Sequence, residues 1–136
     1  MTSRLNPYLA FNGDAATAMR FYHQVLGGDL QISTYDDYDS TEGPTGNHVM
    51  HAVLDSAQGY RIMAWDVPNR VPYRPGNTMS IYLSGPDKYL RGYFAQLAVD
   101  GTVTLPLTLR PWGDELGSLT DKFGVGWMFK MTGAAP

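Results

Sequence analysis

The stretch GDAATAMRFYHQVLGG, residues 13–28, decides the fold. Ala15, Ala18, Met19, Tyr22, Val25 and Leu26 recur at three- and four-residue steps, which lines them along one face of a helix. Asp14 stands where an N-cap belongs, and Gly27 and Gly28 supply the stop. LNPYLAFN (5–12) before it reads as a short strand. A strand at 29–35 follows, then an acidic loop, DDYDSTEGPTGN (36–47). Two more strands, HVMHAVLD (48–55) and YRIMAWD (60–66), are joined by the turn SAQG. The order is β-α-β-β-β.

VPNRVPYRPGN (67–77) holds three prolines and reads as a linker. The plan then restarts. TMSIYLS (78–84) is a strand, and GPDKYLRGYFAQLAVDG (85–101) a helix with Leu90, Tyr93, Phe94 and Leu97 on one face. Pro86 suits its first turn and Gly101 its stop. TVTLPL, a segment around 116–120 and VGWMFKM complete a second set of strands. Slid along itself by 72 positions, the chain sets Leu9 on Ile81, Phe11 on Leu83 and Gly13 on Gly85; slid by 65, it sets Gly59 on Gly124 and Met63 on Met128. A longer loop in the first half absorbs the difference. The expected organisation is one domain: module one at 1–66, a linker at 67–77 and module two at 78–136.

A four-stranded sheet with one helix leaves its other face open. The fold class is therefore read as α+β, two tandem βαβββ modules forming a half-open, eight-stranded curved sheet. Its helices would lie outside and its concave side would form a pocket. The totals fit a globular chain: 136 residues, 43% hydrophobic, 17% charged. A net charge of −3 argues against nucleic acid or an anionic membrane as partner. No apolar run approaches the roughly 20 residues that cross a bilayer, and MTSRLNPYL lacks a secretory signal core. The absence of cysteine excludes disulfides and thiolate chemistry; cytoplasm is the expected location.

The paired modules, with FYHQVLGG closing the first helix, resemble the vicinal oxygen chelate superfamily of glyoxalase, bleomycin-resistance and extradiol-dioxygenase proteins. NPYLAFNGDAATAMRFY, MHAVLDSAQGYRIMAWD, YRPGNTMSIYLSG and WGDELGSLTDKFGVGW, in that order, are similar to its PhnB-like branch over nearly the whole chain. The resemblance implies a homodimer, and a divalent metal held by His, Glu or Gln on the first and last strands of each module, with one coordination position open to substrate oxygens. Carried over singly, these places fall on Pro7, on Met79 (Thr78 or Ser80 if the register slips), on Met63 and on Met128. A proline ring donates nothing, and thioethers are soft ligands unsuited to such cations. No metal and no cofactor are therefore expected. The implied pocket is instead apolar, lined by Leu9, Phe11, Met63, Trp65, Met79, Ile81, Trp112 and Met128, although plain core packing accounts equally well for Trp65 and Trp112 and better for Phe11.

Catalytic candidates are few. His23 reads as a solvated helix residue. His48 and His51, three apart on a strand, face opposite sides and cannot share a metal. His51 joins the pocket face if Leu54 pairs with Tyr60, and turns outward if Asp55 does. Asp66 reads as a turn residue, and Asp121 as the shaper, with Gly124, of the final hairpin. Glu115 is the one carboxylate placed to reach the pocket mouth; with His51 it completes the candidate acid–base set. The segment 112–129 reads as a loop and closing hairpin rather than a reaction centre. Three functions compete: a metal-free binder of a small, partly apolar ligand; a lyase, isomerase or dioxygenase with a relocated metal or none; and a dimeric scaffold. No glycine-rich loop for a phosphate or a nucleotide-type methyl donor accompanies the names found in this branch.

Overall fold

Two helices and eight strands follow one another in the expected order in the computed structural model, which describes residues 2–38, 48–68 and 71–132. Of the acidic loop, residues 39–47 lie outside the described residues, as do 69 and 70 of the linker. The chain divides into two compact units, Met1–Pro75 and Gly76–Pro136, with the boundary inside the proline-rich stretch.

The first unit contains β1 (Tyr8–Phe11), α1 (Ala15–Leu26), β2 (Asp29–Thr34), β3 (Val49–Asp55) and β4 (Arg61–Asp66), with a short 3₁₀ turn at Asp36–Tyr38. The second contains β5 (Ile81–Gly85), α2 (Leu90–Leu97), β6 (Thr102–Leu109), β7 (Glu115–Thr120) and β8 (Gly126–Met131). The eight strands form two hydrogen-bonded sheets of four, ordered β1-β4-β3-β2 and β5-β8-β7-β6. In each, the first strand pairs in parallel with the last and the remaining neighbours are antiparallel. The βαβββ plan thus holds twice.

Each helix covers one face of its own sheet: α1 packs on β2, β3 and β4, and α2 on β5 and β8. The six residues read as the apolar face of α1 are its six buried residues, and the four read for α2 are likewise its buried set. Beneath α1 lie Phe11, Ala52, Leu54, Ile62 and Ala64; beneath α2 lie Leu83, Leu119, Trp127 and Phe129.

The helix ends depart from expectation in three places. Asp14 makes no capping bond. Asp66, from the far end of β4, does that work instead: its Oδ1 accepts the N–H groups of Gly13 (2.7 Å) and Ala15 (3.1 Å), and its Oδ2 that of Val49 (2.8 Å). It is a buried helix cap, not a turn former. Helix α2 begins at Leu90, four residues after Pro86, because residues 87–89 form a separate turn. Gly101 does not cap that helix either; a Cβ there would lie 2.4 Å from the Thr120 carbonyl oxygen, so close backbone approach requires the glycine.

The duplication shows in the closing turns. Ser56 N–H bonds the Tyr60 carbonyl at 2.8 Å and Gly59 N–H the Ser56 carbonyl at 3.0 Å. In module two Asp121 bonds Val125 and Gly124 bonds Asp121, both at 2.9 Å. Gly59 and Gly124 have φ of 89° and 88°. The second turn is tightened further by Asp121, whose Oδ1 accepts Phe123 N–H and Val125 N–H while Oδ2 accepts the Trp127 indole N–H at 2.9 Å. Asp121 and Gly124 shape the hairpin as read.

Candidate functional site

Strand pairing decides which side chains reach the helix-free face of each sheet. In module one β3 and β4 pair as Asp55↔Arg61, Leu54↔Ile62, Val53↔Met63 and Ala52↔Ala64. Neither alternative considered for His51 is realised, because Ser56 and Tyr60 close the turn and move the register on by one. Ala52 and Leu54 go beneath the helix, and His51, Val53, Met63 and Trp65 take the other face. A bulge at Met50, where β3 has one residue more than Ser33–Thr34 opposite, lets Val49 and Ala52, three apart, both be buried. His48 precedes the strand, its Cε1 3.3 Å from where a Cβ of Gly13 would be.

The parallel β1–β4 register, Tyr8↔Met63 and Ala10↔Trp65, adds Tyr8 to the helix-free face. Its hydroxyl lies 3.2 Å from His51 Nδ1, with either group able to donate according to the imidazole tautomer. Its ring meets Trp65 edge-on, with centroids 5.9 Å apart and planes at 90°. Burial pushes the Tyr8 phenol above its ordinary value, so at neutral pH it keeps its proton and donates whenever Nδ1 is bare. His51 is thus partnered, and on the pocket side.

In module two the pairs Tyr82↔Met128 and Ser118↔Met128 define the corresponding face. There Thr104 Oγ1 and Ser118 Oγ bond at 2.6 Å. A cavity of about 280 Å³ opens beside them, bordered by the hydroxyl residues Ser80, Thr104, Ser118 and Thr120, by Asn77, and by Met79 and Met128.

The predicted pocket set therefore divides. Met63 and Trp65 lie on the helix-free face of module one, and Met128 on that of module two, where Met79 also borders the cavity. Leu9, Phe11 and Ile81 belong to the opposite faces: Leu9 and Phe11 pair with Ala64 and Asp66, and Ile81 with the buried Trp127. Grouping Leu9 and Phe11 with Met63 was a one-residue parity error, which reverses every side chain of a strand. Met79 precedes its strand and is 83% exposed; Trp112, at the β6–β7 turn, is 66% exposed and borders no cavity described. Glu115 pairs with Met131 on the helix side and bonds Arg91 of α2, a guanidinium also held by Asp87 at 2.9 Å. These two carboxylates hold the Arg91 pKa above its usual value. Glu115 is an ion-pair partner rather than a group at a pocket mouth. His23 bonds the Gly28 carbonyl at 2.7 Å and closes its own helix end.

The sequence reading passed over Tyr8 and Tyr82 among nine tyrosines. Their usable signal was the register of the parallel strand pairs, which sets each beside a methionine. Of the four places carried over for metal ligands, Pro7 has the parity of Leu9 and Phe11, away from Met63, while Met63 and Met128 lie on helix-free faces and Met79 precedes its strand; thioethers are soft donors. Among the described residues no three His, Asp or Glu side chains gather to hold an ion.

Two such βαβββ modules, each with parallel first and last strands, define a protein of the glyoxalase, bleomycin-resistance and dioxygenase type. A domain so described from Frankia sp. EAN1pec shares the fold with a TM-score of 0.64, over 100% of this chain and 96% of its own, at 14% identity. The chain belongs to the family described as 3-demethylubiquinone-9 3-methyltransferase, whose model it matches over residues 3–129. It is 34% identical to protein PA1353 from Pseudomonas aeruginosa, with a TM-score of 0.82 covering 98% of this chain and 100% of that one. It is 29% identical to a putative 3-demethylubiquinone-9 3-methyltransferase, PhnB protein, from Bacillus cereus, with a TM-score of 0.72 covering 96% and 100%. These likenesses place it in the PhnB-like branch of the vicinal oxygen chelate superfamily. Among the described residues no helix is long and apolar enough to cross a membrane.

Proposed function

We propose that this PhnB-like protein binds a small, partly apolar molecule on its helix-free sheet faces, without a resident divalent metal. One observation carries the reading. Tyr8, Met63 and Trp65 in module one, and Tyr82 and Met128 in module two, stay partly exposed on the faces their helices leave bare. Aromatic and thioether groups there supply large, adaptable contact area for a ligand. The thioethers of Met63 and Met128 on these faces, soft donors both, support binding without a hard divalent metal.

Among the described residues no methyl-donor site accompanies the activity in the family's description. A nucleotide-type methyl donor is held by a glycine-rich turn at a helix N-terminus. Here the first N–H groups of α1 are engaged by the Asp66 carboxylate.

A second reading, a lyase, isomerase or dioxygenase-type enzyme, rests on the Tyr8–His51 hydrogen bond, a proton donor and acceptor pair on an accessible face. Elemental analysis of protein purified without chelators separates the two. Binding without metal predicts far less than one zinc, iron, manganese or nickel per chain. Its companion measurement is a fragment screen by calorimetry and tryptophan fluorescence. Hits are expected to perturb Trp65 and to weaken on Trp65→Ala. A stoichiometric transition metal, or a screen in which nothing releases heat or moves fluorescence, would overturn the proposal.

A further inference from the structure

The cavity of module two has a chemical bias that its size and bordering residues define. Among the described residues that border it, none is charged. Four hydroxyls, one carboxamide and two thioethers border it, together with Leu119, Trp127 and three glycines. Asn77, Ser80 and Thr120 make no side-chain hydrogen bond among the described residues, so their donors and acceptors remain available. Thr104 and Ser118 bond only each other, and each hydroxyl keeps unused capacity.

Its electrostatic surroundings disfavour an anion. Asp121, 3% exposed, sits beneath the hairpin whose Thr120, Gly124 and Gly126 edge the cavity, and its Oδ2 holds the indole of Trp127, which also borders it. A carboxylate or phosphonate ligand would shed water against neutral hydroxyls, and desolvating an unpaired charge costs far more than desolvating an amide. The volume, about 280 Å³, falls just below the roughly 300–1,000 Å³ of ordinary small-molecule pockets. One ring with one substituent suits it.

We propose that this cavity is the selective part of the ligand site, taking an uncharged alcohol or amide with an apolar body, its polar group among Ser80, Ser118 and Thr120 and its body against Met79 and Met128. This rests on the ligand-binding reading above. The geometry supplies the division of labour: hydroxyls on β7 and just ahead of β5, thioethers flanking them.

The test is titration of the full chain with benzamide, benzyl alcohol, benzoate and phenylphosphonate, followed through backbone amide NMR shifts. The two neutral probes are expected to move the amides of Ser118, Thr120 and Gly126. The two anions are expected to need about tenfold higher concentration for the same shift. Ser118→Ala should weaken benzamide about fivefold, the value of one neutral hydrogen bond, and Thr120→Lys should turn preference toward benzoate. Anions binding there as well as neutral probes would overturn the inference, as would an unchanged preference in the lysine variant. Neutral probes that move only Tyr8, His51 and Trp65 would remove this site and leave ligand binding standing. If none of the four moves any amide, both readings fall together.

Discussion

Asp66→Ala is expected to lower the unfolding free energy by about 3–5 kcal/mol, enough to consume much of the roughly 5–15 kcal/mol that a domain has. The carboxylate is 1% exposed and accepts three backbone N–H groups, from Gly13, Ala15 and Val49. Hydrogen bonds to a charged group contribute about 1.5–3 kcal/mol each, but three sharing one carboxylate do not add, and water entering the space left by alanine recovers part. The expected loss lies below the simple sum for that reason. Asp66→Asn keeps the shape and one acceptor oxygen. Turned to retain Gly13 and Ala15, it sets an amide N–H against that of Val49, for an expected cost of about 2–3 kcal/mol. Urea denaturation followed by circular dichroism measures both. Two variants within about 1 kcal/mol of the parent would show that this carboxylate does not hold the start of α1 to β3 and β4.

Asp66 also marks where the sequence stops being legible. Both helices were readable because burying one stripe imposes a 3.6-residue period, and the buried residues of α1 and α2 are the ones that period selects. The β-strands and the repeat were readable for similar local reasons. A cap supplied from 51 residues away, from Asp66 to Ala15, has no local signal, so the nearer Asp14 drew the assignment. Register has the same weakness. Tyr8 and Met63 are brought together by a parallel pairing that no turn specifies, and a slip of one residue set Leu9 and Phe11 on the wrong face. His51 turned on one uncertain hairpin residue. The hydroxyls around the module-two cavity were invisible for another reason: scattered serines and threonines become a group only when β6, β7 and the segment before β5 converge.

Glycine contacts give the second large effect, and it tests the duplication itself. Gly28→Ala would put a Cβ 2.0 Å from the Asp55 carbonyl oxygen and 2.7 Å from backbone atoms of Ser56, at a φ of +94°. Gly101→Ala would put one 2.4 Å from the Thr120 carbonyl oxygen and 3.0 Å from the Asp121 Cα, without a positive φ. The equivalent glycine in each module thus lets the chain leaving the helix press against the last residues before the equivalent turn. Gly28→Ala combines left-handed strain of roughly 1–2 kcal/mol with overpacking of roughly 1–3 kcal/mol, and at 2.0 Å the upper part of the summed range, about 2–5 kcal/mol, is expected. Gly101→Ala carries the steric part alone, about 2–3 kcal/mol. Gly124→Ala, at φ +88° with nothing within 4 Å, carries the strain alone, about 1–2 kcal/mol. The order Gly28, Gly101, Gly124 is the quantity to measure, by urea unfolding of the three variants. Gly101 has a further consequence, because the backbone it meets at Thr120 and Asp121 shapes one edge of the module-two cavity. Its alanine variant, assayed where it remains folded, should bind benzamide more weakly than Gly28→Ala does, although the latter is the less stable protein. Equal binding by both would separate the cavity from this turn.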